Sequence, residues 1–164
     1  MVSLPPGFSL PSNIIRDGQI FHMAMAVPDL ARAMDELGQA LSLTWAPVRD
    51  IEMQLVSPAG EDLKTPIRAV YSLQGPPYLE LVTGEPGSMF SVVDGPRLHH
   101  VGLMVDDIDT EVRRLQGLGM RLLATTPGPG VAFVTNDFGL NLEIMGQRVR
   151  GVLDDWLFGK SENA

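Results

Sequence analysis

From residue 20 the chain runs Ile-Phe-His-Met-Ala-Met-Ala-Val, an apolar stretch with the length and texture of a strand. Pro28 and Asp29 end it, and Asp29 is placed to cap a helix. Leu30, Met34, Leu37 and Leu41 follow at helical spacing and give that helix one apolar face. Three strands are then expected, at 44–48 or 52–56, at 67–73 and at 78–83, with Gly75-Pro76-Pro77 turning the chain before the last. Residues 1–19, rich in Pro, Gly, Ser and Asn, read as an arm without an element of its own.

The same pattern then returns. His100-Val101-Gly102-Leu103-Met104-Val105-Asp106-Asp107 aligns with His22-Met23-Ala24-Met25-Ala26-Val27-Pro28-Asp29, at an offset of 100 − 22 = 78 residues. Each histidine stands five residues before a valine and seven before a capping aspartate. An amphipathic helix follows (Ile108, Val112, Leu115, Leu118), then three strands at 120–124, 131–135 and 141–145. Two copies of one βαβββ unit explain this economically. The expected organisation is an arm (1–19), a first module (20–84), a linker (85–97), a second module (98–146) and a C-terminal helix and tail (147–164). Val152, Trp156 and Leu157 suggest that this helix packs on the surface.

The final strands of the two units also match, Tyr78-Leu79-Glu80-Leu81-Val82 against Asn141-Leu142-Glu143-Ile144-Met145. A lone strand glutamate is usually solvated, and a lone strand histidine is usually a hydrogen-bonded core residue. Here the same pair recurs at matching places. Strand side chains alternate faces, so His22 shares a side with Ala24 and Ala26, and His100 with Gly102 and Met104. Alternation turns His99 to the opposite side. Leu79/Leu81 and Leu142/Ile144, on the faces opposite the glutamates, belong against helices. His22, Glu80, His100 and Glu143 are thus the expected ligands of one divalent ion: two imidazoles and two carboxylates suit zinc, nickel, cobalt, manganese or iron(II).

Composition narrows the chemistry. There is no cysteine, which removes thiolate nucleophiles, iron–sulfur clusters and disulfides together. Twelve basic against twenty acidic residues give a net charge of -8, and no basic cluster escapes that trend, so nucleic acid is not an expected partner. The apolar runs are strand-sized, too short to span a membrane. No signal peptide fits the start, so the protein is expected in the cytoplasm.

The stretches at 21–30 (FHMAMAVPDL), 78–84 (YLELVTG), 98–109 (LHHVGLMVDDID) and 133–145 (FVTNDFGLNLEIM) resemble the vicinal oxygen chelate superfamily. That group includes glyoxalase I, methylmalonyl-CoA epimerase, extradiol dioxygenases and the bleomycin- and fosfomycin-resistance proteins. The resemblance covers about residues 20 to 146. It implies an α+β fold in which two paired βαβββ modules form an open half-barrel sheet around a metal site, and it implies a homodimer. Carried over, the metal ligands fall on His22, Glu80, His100 and Glu143, a set similar to that of glyoxalase I. The implied chemistry is that of an isomerase, epimerase or lyase acting on a carbonyl or acyl compound. A proton moves α to a metal-chelated carbonyl, with Glu143 or Glu80 as the base. Two alternatives share the fold. A ring-cleaving dioxygenase would use iron(II) with two histidines and one carboxylate. A drug- or metabolite-binding resistance protein would need an apolar cleft and no metal.

Overall fold

In a computed structural model of the chain, residues 20–92, 95–128 and 130–159 are described. The expected arm, and residues 160–164 of the expected tail, lie outside them. The two capping aspartates act as their spacing implies. The Asp29 carboxylate accepts from the Arg32 backbone N–H at 3.0 Å, and that of Asp107 from the Thr110 N–H at 2.8 Å. They open α1 (Leu30–Leu41) and α2 (Ile108–Gly117). Each helix follows a strand that ends one turn earlier, β1 (Ile20–Ala26) and β5 (Arg97–Met104).

After α1 come β2 (Arg49–Val56), β3 (Asp62–Tyr71) and β4 (Tyr78–Gly84); after α2 come β6 (Arg121–Thr125), β7 (Val131–Thr135) and β8 (Asn141–Met145). Of the two places expected for the second strand, the later one forms it. Residues 44–48 contribute only an isolated bridge between Trp45 and Ser72. The next strand starts earlier than its apolar run, and so contains Pro66. Pro66 faces Glu52 of β2, while pairing with β4 begins only at Ile67, so no ladder on that side needs the missing N–H.

In each module the first strand lies parallel to the last, β1 on β4 and β5 on β8. The modules join through the antiparallel β1–β5 pair within the chain. The ring β1-β4-β3-β2-β6-β7-β8-β5 is closed, because Val56 of β2 also pairs with Thr125 of β6. This replaces the expected open half-barrel: the far seam is shut, though by a single register pair. Outside the ring α1 packs on Val70 and Leu81, and α2 on Ala132, Val134 and Ile144. Burying such side chains contributes about 1.5–3 kcal/mol each.

The third helix, α3 (Gln147–Phe158), lies at the surface with one face turned inward. Its Leu153, Trp156 and Leu157 are buried in the same cluster as Tyr71, Phe90 and Phe133. The curved sheet leaves an apolar interior that its own side chains do not fill, and α3 supplies the rest. Among the described residues no helix is long and apolar enough to cross a membrane.

Candidate metal centre

Across the middle of the ring the strands run β4-β1-β5-β8. Their register sets Tyr78, His22, Gly102 and Glu143 in one row, and Glu80, Ala24 and His100 in the next. A local two-fold relates the rows. Each histidine faces a small residue of the other module, and beyond that small residue stands the other module's glutamate. All four sequence-predicted residues therefore project into one place, and His22, His100, Glu80 and Glu143 are all buried.

The donor atoms meet at close range. The two Nε2 atoms are 2.8 Å apart. Glu80 Oε2 lies 3.2 Å from His22 Nε2 and 3.3 Å from His100 Nε2; Glu143 Oε2 lies 3.1 and 3.2 Å from them. His22, His100 and Glu143 form a group that could hold a metal ion, and Glu80 stands beside it. Gly102 makes the approach possible: a Cβ there would stand 2.2 Å from Cε1 of His22.

Burial pushes the charged forms away, and opposite charge brings them back. At His100 burial is outweighed by the charge and hydrogen bond of Glu143 and by Glu80, which raise it to about 10. His22 is raised for the same reasons. Glu143, lifted by burial, is drawn down to about 2 by His100 and then His22, and Glu80 is also drawn well below the carboxylate range. Tyr71 beside them is raised well above its ordinary value, first by burial and then by the two glutamate charges.

Protons alone satisfy this arrangement poorly. Two Nε2 atoms 2.8 Å apart share one proton between them and cannot each hold one. Glu80 Oε2, though within 3.3 Å of both Nε2 atoms, is buried and makes no well-angled hydrogen bond among the described residues. Two donors bound about 2.0–2.2 Å from one ion lie roughly 3 Å apart, which is the spacing found here. A divalent cation would compensate all four donors together, so the residues fit such an ion.

His99 is not where alternation puts it. The β1–β5 ladder slips between Ala24 and Met25, whose partners are His100 and Leu98, so His99 is the extra residue of a β-bulge. The bulge brings its ring inside, where it is buried and stacked on Phe90 at 4.6 Å. Its Nδ1 is 2.8 Å from Nδ1 of His100, and its Nε2 2.8 Å from the Met89 carbonyl oxygen. Both nitrogens are engaged, so His99 is no free acid–base group. A second slip between Ile20 and His22 makes Phe21 its counterpart in the first module. Spacing alone cannot reveal a bulge; the His99/Phe21 equivalence at the same offset of 78 is the signal that was available.

Tyr71 closes the centre on another side, its ring 5.3 Å from that of His22. Trp156 of α3 packs edge-on against Tyr71 at 4.9 Å. Beyond Trp156 is a cavity of about 450 Å³, lined also by Pro47, Arg49 and Leu157. Arg68, a basic residue in a strand, pairs with Asp50 at 2.8 Å on the exposed surface, away from the centre.

The family model described as Glyoxalase/Bleomycin resistance protein/Dioxygenase superfamily matches residues 21–138, and the chain belongs to that superfamily. Among solved structures it is similar to methylmalonyl-CoA epimerase from Mycobacterium tuberculosis, with 19% identity, TM-score 0.56 and coverage of 78% of this chain and 87% of that one. A methylmalonyl-CoA epimerase from Streptomyces coelicolor, in complex with 2-nitronate-propionyl-CoA, gives 16%, 0.56, 78% and 96%. The hypothetical protein BH1468 from Bacillus halodurans gives 18%, 0.55, 78% and 93%. At these identities the likeness is one of fold. No curated protein sequence matches the chain significantly.

Proposed function

We propose that the protein is a metal-dependent enzyme of this superfamily that moves a proton α to a carbonyl, as an isomerase, epimerase or lyase. One observation carries the reading: two imidazoles and two carboxylates, one of each from either module, converge on a single buried point. His22, His100, Glu80 and Glu143 would hold one divalent ion. When bound, that ion supplies Lewis acidity, polarising a substrate carbonyl and stabilising negative charge on its oxygen.

The chain's own part is proton transfer and exclusion of water. Glu143 takes the proton from the carbon next to the carbonyl and returns it; Glu80, its counterpart across the local two-fold, is placed to serve on the other side. The surrounding cluster of Phe21, Tyr71, Phe90 and Phe133 keeps the site dry, which strengthens every charge interaction in it. Acyl-CoA compounds, the kind held by the epimerase neighbours, and α-keto compounds are the substrate classes proposed here.

Two measurements test this. Elemental analysis of purified protein should find about one divalent ion per chain, lost in His100→Ala. Wild-type protein should exchange the α-proton of an acyl thioester or α-keto acid with solvent deuterium, and Glu143→Gln should retain metal without exchange. Full exchange in Glu143→Gln would remove that residue as the base. Absence of metal after soaking in zinc, nickel and cobalt would leave the metabolite-binding reading.

A further inference from the structure

The two halves of the centre differ behind their imidazoles. His22 Nδ1 is buried and has no hydrogen-bond partner among the described residues. His100 Nδ1, by contrast, meets His99 Nδ1 at 2.8 Å. The residues that decide this stand at equivalent bulges, Phe21 in one module and His99 in the other. A phenyl ring offers no lone pair, whereas an imidazole does.

We infer that His99 is a positioning residue that fixes the tautomer of His100 and keeps its Nε2 lone pair directed into the four-donor centre. This rests on the reading of that centre as a metal site. The direction of each hydrogen bond follows from the end of the chain. The Met89 carbonyl can only accept, so His99 Nε2 at 2.8 Å must carry the proton. In a neutral imidazole the other nitrogen is then an acceptor. His99 Nδ1 therefore accepts from Nδ1–H of His100, and once His100 is neutral its Nε2 is the nitrogen without a proton. That is the form a metal needs, and imidazole ligands generally depend on such a partner for their orientation and basicity. The stack of His99 on Phe90, with an interplanar angle of 19°, fixes the orientation of the His99 ring, edge-on to that of His100. Behind its Nδ1, His22 has packing against Phe21, Tyr71 and Gly102 in place of a hydrogen bond among the described residues. The second module thus presents a preset ligand, and the first an adjustable one.

The experiment reads the tautomer directly. In uniformly 15N-labelled protein freed of metal by chelator, long-range 1H–15N spectra recorded above the pH at which His100 gives up its charge should show the neutral ring protonated on Nδ1 and bare on Nε2. His99→Phe keeps the ring stack but removes the acceptor. It should shift His100 towards the Nε2–H form and weaken zinc binding, measured by chelator competition, by about 10–100-fold. His99→Gln, with both a carbonyl oxygen and an amide N–H, should recover most of that loss. A wild-type His100 protonated on Nε2 would overturn the inference. So would an intact His99→Phe with unchanged tautomer and zinc affinity. If His99→Phe does not fold, the wild-type spectrum and His99→Gln still decide. If the wild-type protein binds no zinc, the metal reading fails by itself, and the tautomer measurement still tests the relay.

Discussion

Gly102 stands directly across from His22 on the neighbouring strand, so close that the Cβ of any other residue would lie 2.2 Å from Cε1 of the imidazole. The ring cannot easily retreat, because Tyr71 packs edge-on against it at 5.3 Å. Gly102→Ala is therefore expected to destabilise the protein by about 1–3 kcal/mol, as overpacking does, and to abolish zinc binding by moving His22 off the shared point. Ala24→Gly, at the equivalent place opposite His100, should bind zinc normally. Urea unfolding and zinc titration of both variants check this; undiminished zinc affinity in Gly102→Ala would show that the ring has room after all.

Removing the metal should leave a characteristic pH dependence. The lowered carboxylates, Glu143 at about 2 and Glu80 also held well below its ordinary value, contribute stability that is present above about 4.5 and lost as pH falls through their folded values. His100, raised to about 10, contributes stability complete below 6.5 and lost as pH climbs towards 10; His22 acts in the same sense. His99 is lowered to about 4, first by burial and then by His100, and so acts oppositely: its contribution is complete above 6.5 and lost as pH falls through 4. Metal-free protein should accordingly be most stable near pH 6.5 and weaken on both sides. Urea midpoints from pH 4 to 10 measure it, and a flat alkaline limb would detach the imidazoles from the carboxylates.

Metal itself should restore the alkaline side, because binding displaces the protons that pH removes. At a fixed zinc concentration about 100 times the dissociation constant at pH 6, stability should rise there by about 2.7 kcal/mol, and by more at pH 8, where fewer protons compete for the site. His100→Ala should show none of it. A thermal melt with and without zinc is sufficient, and an equal gain in His100→Ala would place the ion elsewhere.

What could be read from the sequence was whatever repeats. His22 and His100, Glu80 and Glu143, and Asp29 and Asp107 recur at matching places in the two units, and the structure brings the first four together and uses the last two as caps. What could not be read depends on departures from regular periodicity or on contacts far apart in the chain. Alternation assigned His99 to the outer face, and one bulged residue reversed it. Ring closure hangs on Val56 meeting Thr125, a pairing no local pattern encodes. The apolar face of α3 was visible in Trp156 and Leu157, although Leu153 and not the exposed Val152 completes it, and that this face plugs the interior depended on the volume the sheet encloses.

That plug yields the last prediction. Trp156 separates the cavity beside Pro47 and Arg49 from Tyr71, and Tyr71 in turn abuts His22. Its indole N–H donates to the Pro47 carbonyl at 2.7 Å, and the Arg49 guanidinium lies 4.9 Å from its ring centre. Trp156→Ala should cost about 3–5 kcal/mol and join that cavity to the centre, so that a chelator strips bound zinc faster than from wild type. Trp156→Phe keeps most of the ring packing but leaves the Pro47 carbonyl unpaired, at a cost of about 1 kcal/mol, and should release zinc at nearly the wild-type rate. The two variants separate loss of stability from opening of a path. If Trp156→Ala, folded and at a temperature well below its melt, releases zinc no faster than Trp156→Phe, then small molecules reach the centre by another side of the ring, and α3 serves only to complete the core.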